Sequence, residues 1–224
     1  QNIDDLLIFA EFVAIDGPGG VLGSAGVCFP RQSNALTIIG YMKFDTADLA
    51  SLETSGSLNQ VILHEMGHVL GVGSLWNFKG LLLGAATDTS HFTGPAALTA
   101  FNAVGGGTVS FLGSPVPVEN CKAGVPTSCG GGTRDTHWRE SVFRNELMTG
   151  YISTGLNPLS RVTIASLQDL GYVVDLAVAD AFSITSLLVQ AGASPGLAPL
   201  NEAPLTGPLH VTDALGRTRT VPRP

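Results

Sequence analysis

The pentapeptide His64-Glu65-Met66-Gly67-His68 constrains this chain more than any other stretch. It lies in a segment punctuated as a helix. Ser57 and Gln60 fit a capping box, apolar residues recur at Ile62, Met66 and Val69/Leu70, and Gly71 can supply a left-handed C-terminal cap. Residues four apart on a helix share a face, so both imidazoles can reach one metal ion. Glu65 then projects beside them, where a carboxylate can take a proton from water and pass it to a leaving group. The apolar positions fall opposite the histidines, which leaves the pair facing a cleft. Two histidines do not complete a catalytic zinc site, which takes three protein ligands and one open position.

The rest of the chain must supply that third ligand. Its 224 residues suit one substantial domain, at most split into lobes. With 44% hydrophobic and 13% charged residues and 28 glycines, the chain is too apolar for disorder and too Gly-rich for a helical bundle. Residues 6–15 read as a buried strand stopped by Asp16-Gly17-Pro18-Gly19-Gly20, and residues 36–44 as a second strand. A second helix is expected over 159–170, capped by Ser160 and ended by Gly171. Residues 76–132 are rich in Gly, Ser, Thr and Pro and read as an insertion of loops with room for one hairpin. An apolar segment covers 177–189, and the Pro- and Gly-rich stretch beyond it reads as a tail or linker.

A net charge of -7 argues against nucleic acid or an anionic membrane surface as a partner. No apolar run approaches the roughly 20 residues of a membrane span. The chain opens at Gln1 with no signal peptide visible, as expected of a mature product or a piece of a longer chain. Cys121 and Cys129 bracket a short Pro- and Gly-containing loop that a disulfide could close, and Cys28 reads as a buried thiol. No pattern motivates a structural calcium ion.

On the residues alone, several third ligands stay open: His137, His91 in a Ser-His-Phe-Thr loop, and the carboxylates Asp88, Asp135, Glu140 and Glu146. His210 falls in the expected tail. In the short metzincin pattern, His-Glu-x-x-His-x-x-Gly-x-x-His, Gly71 fits, but the last position holds Ser74. The chain instead resembles leishmanolysin-like metzincin peptidases, which place a long insertion between the glycine and the third histidine. The resemblance is carried by His64 to Gly71, the Gly-rich stretch, His137-Trp138-Arg139-Glu140 and Glu146-Leu147-Met148-Thr149-Gly150. Residues 15–20, 42–45, 160–163 and 169–172 also resemble bacterial members of the group.

The resemblance implies an α+β zincin domain over 1–185, with a tail over 186–224. An upper lobe (1–75) would hold a mixed sheet and the active-site helix. The insertion (76–132) would follow, then an irregular lower lobe (133–185) with a methionine turn and a C-terminal helix. It implies zinc held by His64, His68 and His137, Glu65 as general base and acid, and Met148 beneath the metal as support. Tyr151, three residues after Met148, and the stretch to Pro158 would line the pocket for the side chain after the scissile bond. A protein or peptide substrate would lie extended in the cleft against an edge strand, with 36–44 the candidate. The expected activity is a secreted zinc endopeptidase. The alternatives are a secreted adhesion or binding module with a non-catalytic zinc site, and a non-peptidase zinc hydrolase.

Overall fold

The computed structural model describes residues 3, 5–108, 115–121, 132–184, 197–200, 208–213 and 215–222. The chain enters through β1 (Leu7–Val13), turns at the glycines after Asp16, and continues into β2 (Gly23–Pro30) and β3 (Thr37–Asp45). The sheet order is β1-β3-β2, with β1 parallel and β2 antiparallel to β3. The 16–20 turn is held by carboxylates: Asp45 Oδ2 accepts from the Asp16 and Gly17 amides, and Asp48 Oδ1 from Gly19. Two expectations change here. The strand over 36–44 is the central strand and not an edge, because the unanticipated β2 covers its other side. β1 is not buried, since Phe9 and Phe12 stand half exposed on it.

Helix α1 (Leu49–Ser55) ends at Gly56, whose φ of 74° turns the chain into α2 (Leu58–Leu70). The capping box is not formed: Ser57 makes no side-chain cap bond, and the Gln60 amide donates across the cleft to the Gly155 carbonyl at 2.8 Å. Gly71 does close α2 in the left-handed conformation, with φ of 115°. Val61 and Val69 pack α2 against Leu22, Met42 and Phe44 of the sheet region. The approach is close at Gly40 of β3, where a side chain would collide with Val69.

The stretch expected as an insertion of loops is instead woven into the main core. It contains β4 (Leu82–Leu83), β5 (His91–Phe92), α3 (Pro95–Ala103) and β6 (Val116–Pro117), the three strands forming one small antiparallel sheet. Pro95 opens α3, a position where its missing N–H costs nothing. The Asp169 carboxylate accepts from the Ala96 and Ala97 amides at 2.9 and 2.8 Å, capping α3 from another helix. Trp76, Phe92 and Phe101 join Trp138 and Phe143 in one aromatic cluster, with the Trp76 and Trp138 rings 4.5 Å apart.

The chain then forms α4 (Glu140–Phe143), β7 (Tyr151–Ser153) and α5 (Arg161–Leu170). Ser160 caps α5 as expected, its hydroxyl accepting from the Thr163 amide. The expected tail carries order of its own: β8 (Leu197–Pro199) pairs with β7, and β9 (Leu209–Thr212) pairs with β10 (Thr218–Val221). Leu200, Leu209 and Val211 are buried, so this segment contributes to the core. The architecture is α+β, with small mixed and antiparallel sheets and several helices. Among the described residues no helix is long and apolar enough to cross a membrane. Of the apolar segment over 177–189, residues 185–189 lie outside the described residues.

Candidate metal centre

α2 turns His64, Glu65 and His68 inward, together with Val61 and Val69. The histidines therefore sit on the buried side of the helix, not on an open face opposite its apolar residues. Leu63 is the large apolar side chain of α2 left half exposed. A lower wall covers the histidines, and that wall delivers His137.

His137 is fixed by the backbone on both sides. Its carbonyl accepts from the Glu119 amide at 2.8 Å, and the next residue, Trp138, donates its amide to the Met148 carbonyl at 3.0 Å. The Trp138 indole is buried and donates to the Thr163 hydroxyl on α5 at 2.8 Å. Gly73, with φ of 72°, lets the Thr136 carbonyl come so close that no side chain would fit there. A residue 69 positions from His68 thus reaches it.

The three Nε2 atoms converge. His64 and His68 are 3.0 Å apart, His68 and His137 3.0 Å, and His64 and His137 3.1 Å. Each ring is oriented from behind: His64 Nδ1 lies 2.6 Å from the Leu147 carbonyl, His68 Nδ1 2.8 Å from Val72, and His137 Nδ1 3.1 Å from Thr133. A carbonyl only accepts, so each Nδ1 carries the proton and donates it. With the proton held at Nδ1, each ring can turn an Nε2 lone pair towards the same buried point. Such a convergence is repulsive unless a cation shares it, and imidazole nitrogens backed by carbonyls are a usual zinc donor set at about 2.0–2.1 Å. The residues fit a metal ion. Among the described residues these three are the group of His, Cys, Asp and Glu able to hold one.

The surrounding residues are shaped to this centre. Met148 is fully buried and underlies α2 at Gly67, where an added Cβ would stand 2.6 Å from its Sδ. Glu65 is buried against the start of β2, and a Cβ at Gly23 would lie 2.7 Å from its Oε1. Ser74, which stands where the short pattern has a histidine, donates to the His68 carbonyl at 2.5 Å and so braces the C-terminal turn of α2.

Among the rival ligands, His91, Asp135 and Glu146 are engaged elsewhere, as is His210. His91 lies on β5, its Nδ1 held by the Thr89 carbonyl, and His210 stacks on Phe29. Asp135 accepts from the Ala86 amide and the Ser90 hydroxyl. Glu146 is fully buried and accepts from Met148 N at 2.6 Å, Ser160 N at 3.1 Å, and the Ser160 and Thr163 hydroxyls at 2.7 and 2.5 Å. It ties the Met148 turn to α5, a role the sequence did not reveal. Burial raises its pKa against the pull of those donors. Glu140 is also buried, and burial with the adjacent Glu119 charge pushes its carboxyl up to about 8.

Tyr151, Ile152 and Asn157 line a small pocket with His64, Gln60 and Leu200. Of the 151–158 stretch, these three residues lie beside His64. Burial, then the charges of Glu119 and Glu140, raise the Tyr151 hydroxyl's pKa. Cys121 is disulfide-bonded, Cys28 is a half-buried thiol on β2, and Cys129 lies outside the described residues.

A helical His-x-x-x-His pair, a glutamate between them and a distant third imidazole define a metallopeptidase type of centre. The sequence model of the leishmanolysin family matches residues 2–188. The chain belongs to this family of zinc-dependent metallopeptidases. No curated protein sequence matches the chain.

Proposed function

We propose that the protein is a zinc endopeptidase of the metzincin type, secreted into an oxidising compartment. His64, His68 and His137 are its metal ligands, Glu65 its general base and acid, and Met148 the support beneath them. The observation that carries this reading is the convergence of three buried Nε2 atoms at 3.0–3.1 Å, each ring oriented by a backbone carbonyl. The disulfide-bonded Cys121 supports the compartment.

Zinc bound by these residues would supply Lewis acidity, lowering the pKa of water towards neutrality and polarising a carbonyl. The chain's own groups do the rest. Glu65 takes the proton of the attacking water and returns it to the departing amine. The three carbonyls behind the rings hold the imidazoles in the tautomer that leaves Nε2 free to ligate. Tyr151, Ile152 and Asn157 wall the pocket that would receive a substrate side chain, and β2, an edge strand of its sheet that begins beside Glu65, would pair with an extended peptide backbone. The catalytic domain takes in 1–185, with the 197–200 and 208–222 strands packed onto it.

Hydrolysis of denatured casein by wild type and Glu65→Ala tests the reading. The variant should lose activity by at least about a hundredfold while keeping zinc, the scale of lost general acid–base catalysis. Equal rates would exclude the peptidase and leave a zinc-holding binding module.

A further inference from the structure

We infer that residues 197–200 are an internal pseudosubstrate, lying in the peptide cleft and holding it closed. This rests on the peptidase reading above. β8 pairs antiparallel with β7, Tyr151 opposite Pro199, Ile152 opposite Ala198 and Ser153 opposite Leu197. β7 follows the Met148 turn and forms the pocket wall beside His64.

Leu200 continues from this strand and is held from both sides of the cleft. Its amide donates to the Gly150 carbonyl at 3.1 Å, two residues from Met148. Its carbonyl accepts from the Leu22 amide at 3.3 Å, next to Gly23, the residue that abuts Glu65. Its side chain is 2% exposed and lines the pocket with His64 and Tyr151. An extended peptide adding to this wall would need the same backbone groups and the same apolar space.

Segment and substrate therefore compete. A peptide sees only the fraction of molecules in which 197–200 has left, so its apparent affinity is reduced by that fraction. The segment also indicates what this wall accepts against it: an uncharged, leucine-sized side chain on an extended backbone.

The test uses the full chain carrying Glu65→Gln, so that bound peptide is not cut. Its probe is a fluorescein-labelled peptide Gly-Leu-Ala-Pro-Leu-Asn, read by anisotropy. Adding Leu200→Asp should expel the segment and tighten peptide binding on the order of tenfold or more. Because Leu200 is part of the core, a second variant keeps it: the Ile152→Cys, Ala198→Cys pair, at facing register positions. When oxidised it should lose peptide binding by about tenfold or more and regain it on reduction, which the parent protein should not do. Binding unchanged by both variants overturns the inference. If wild type still hydrolyses casein, only the pseudosubstrate falls. If neither hydrolysis nor binding is seen, the peptidase reading falls with it.

Discussion

Glu146→Gln probes how the lower wall supports the centre. Oε2 of Glu146 accepts only the Met148 amide, whereas Oε1 accepts from Ser160 N and from the Ser160 and Thr163 hydroxyls. A glutamine has one carbonyl oxygen. Keeping it where Oε1 was saves three contacts but turns an NH2 towards the Met148 N–H, donor against donor. One buried hydrogen bond is lost and one buried amide is left without an acceptor, which costs about 1–3 kcal/mol. For a chain of this size, with roughly 2–4 °C per kcal/mol, the zinc-free protein should melt about 4–8 °C lower at mid-range. The strain lies beside Leu147, whose carbonyl orients His64, so zinc affinity should also fall about 10–100-fold. Circular-dichroism melts and competition with a calibrated chelator measure the two effects. A melting point and an affinity both equal to wild type would refute the link between this carboxylate and the metal ligands.

Two further predictions concern single residues. Glu140 binds its proton up to a pH of about 8 when folded but only to about 4.5 when unfolded. Its contribution is therefore fully present below the lower value and is lost as pH rises through the higher one, with a slope of up to about 1.4 kcal/mol per pH unit. Glu140→Gln should flatten that decline, so its melting temperature should gain on wild type between pH 5 and 8.5; parallel curves would exclude the buried neutral carboxyl. Gly23→Ala places a Cβ against Glu65 Oε1, so casein hydrolysis should fall at least about tenfold while zinc content holds. Unchanged turnover would show that this contact does not position the base.

Legibility in the sequence followed the reach of the interactions. α2 and α5 were legible because Gly71, Ser160 and Gly171 are local signals that act within their own turn. The capping box at Ser57 and Gln60 failed because Gln60 finds better partners across the cleft, at Gly155 and Asn157. β2 was hidden because Gly23-Ser24-Ala25-Gly26 has little strand propensity; pairing with β3 and the room needed by Glu65 fix it instead. α3 carried one local signal, Pro95, but its cap comes from Asp169, 73 residues away. The His64, Glu65 and His68 trio was readable from helical spacing alone. The place of His137 beside them was readable only through resemblance to a family, because a histidine 69 residues from its nearest partner leaves no periodic trace. In the sequence Glu146 is one spare carboxylate among several; its four donors come from the Met148 turn and the start of α5, which only folding assembles.

Zinc stoichiometry is the most direct measure of the central claim. Atomic absorption on dialysed wild type, His64→Ala, His68→Ala, His137→Ala and His91→Ala should give one zinc per chain for wild type and His91→Ala. The other three should retain little or none. Zinc kept by His137→Ala but lost from His91→Ala would contradict the three-histidine centre.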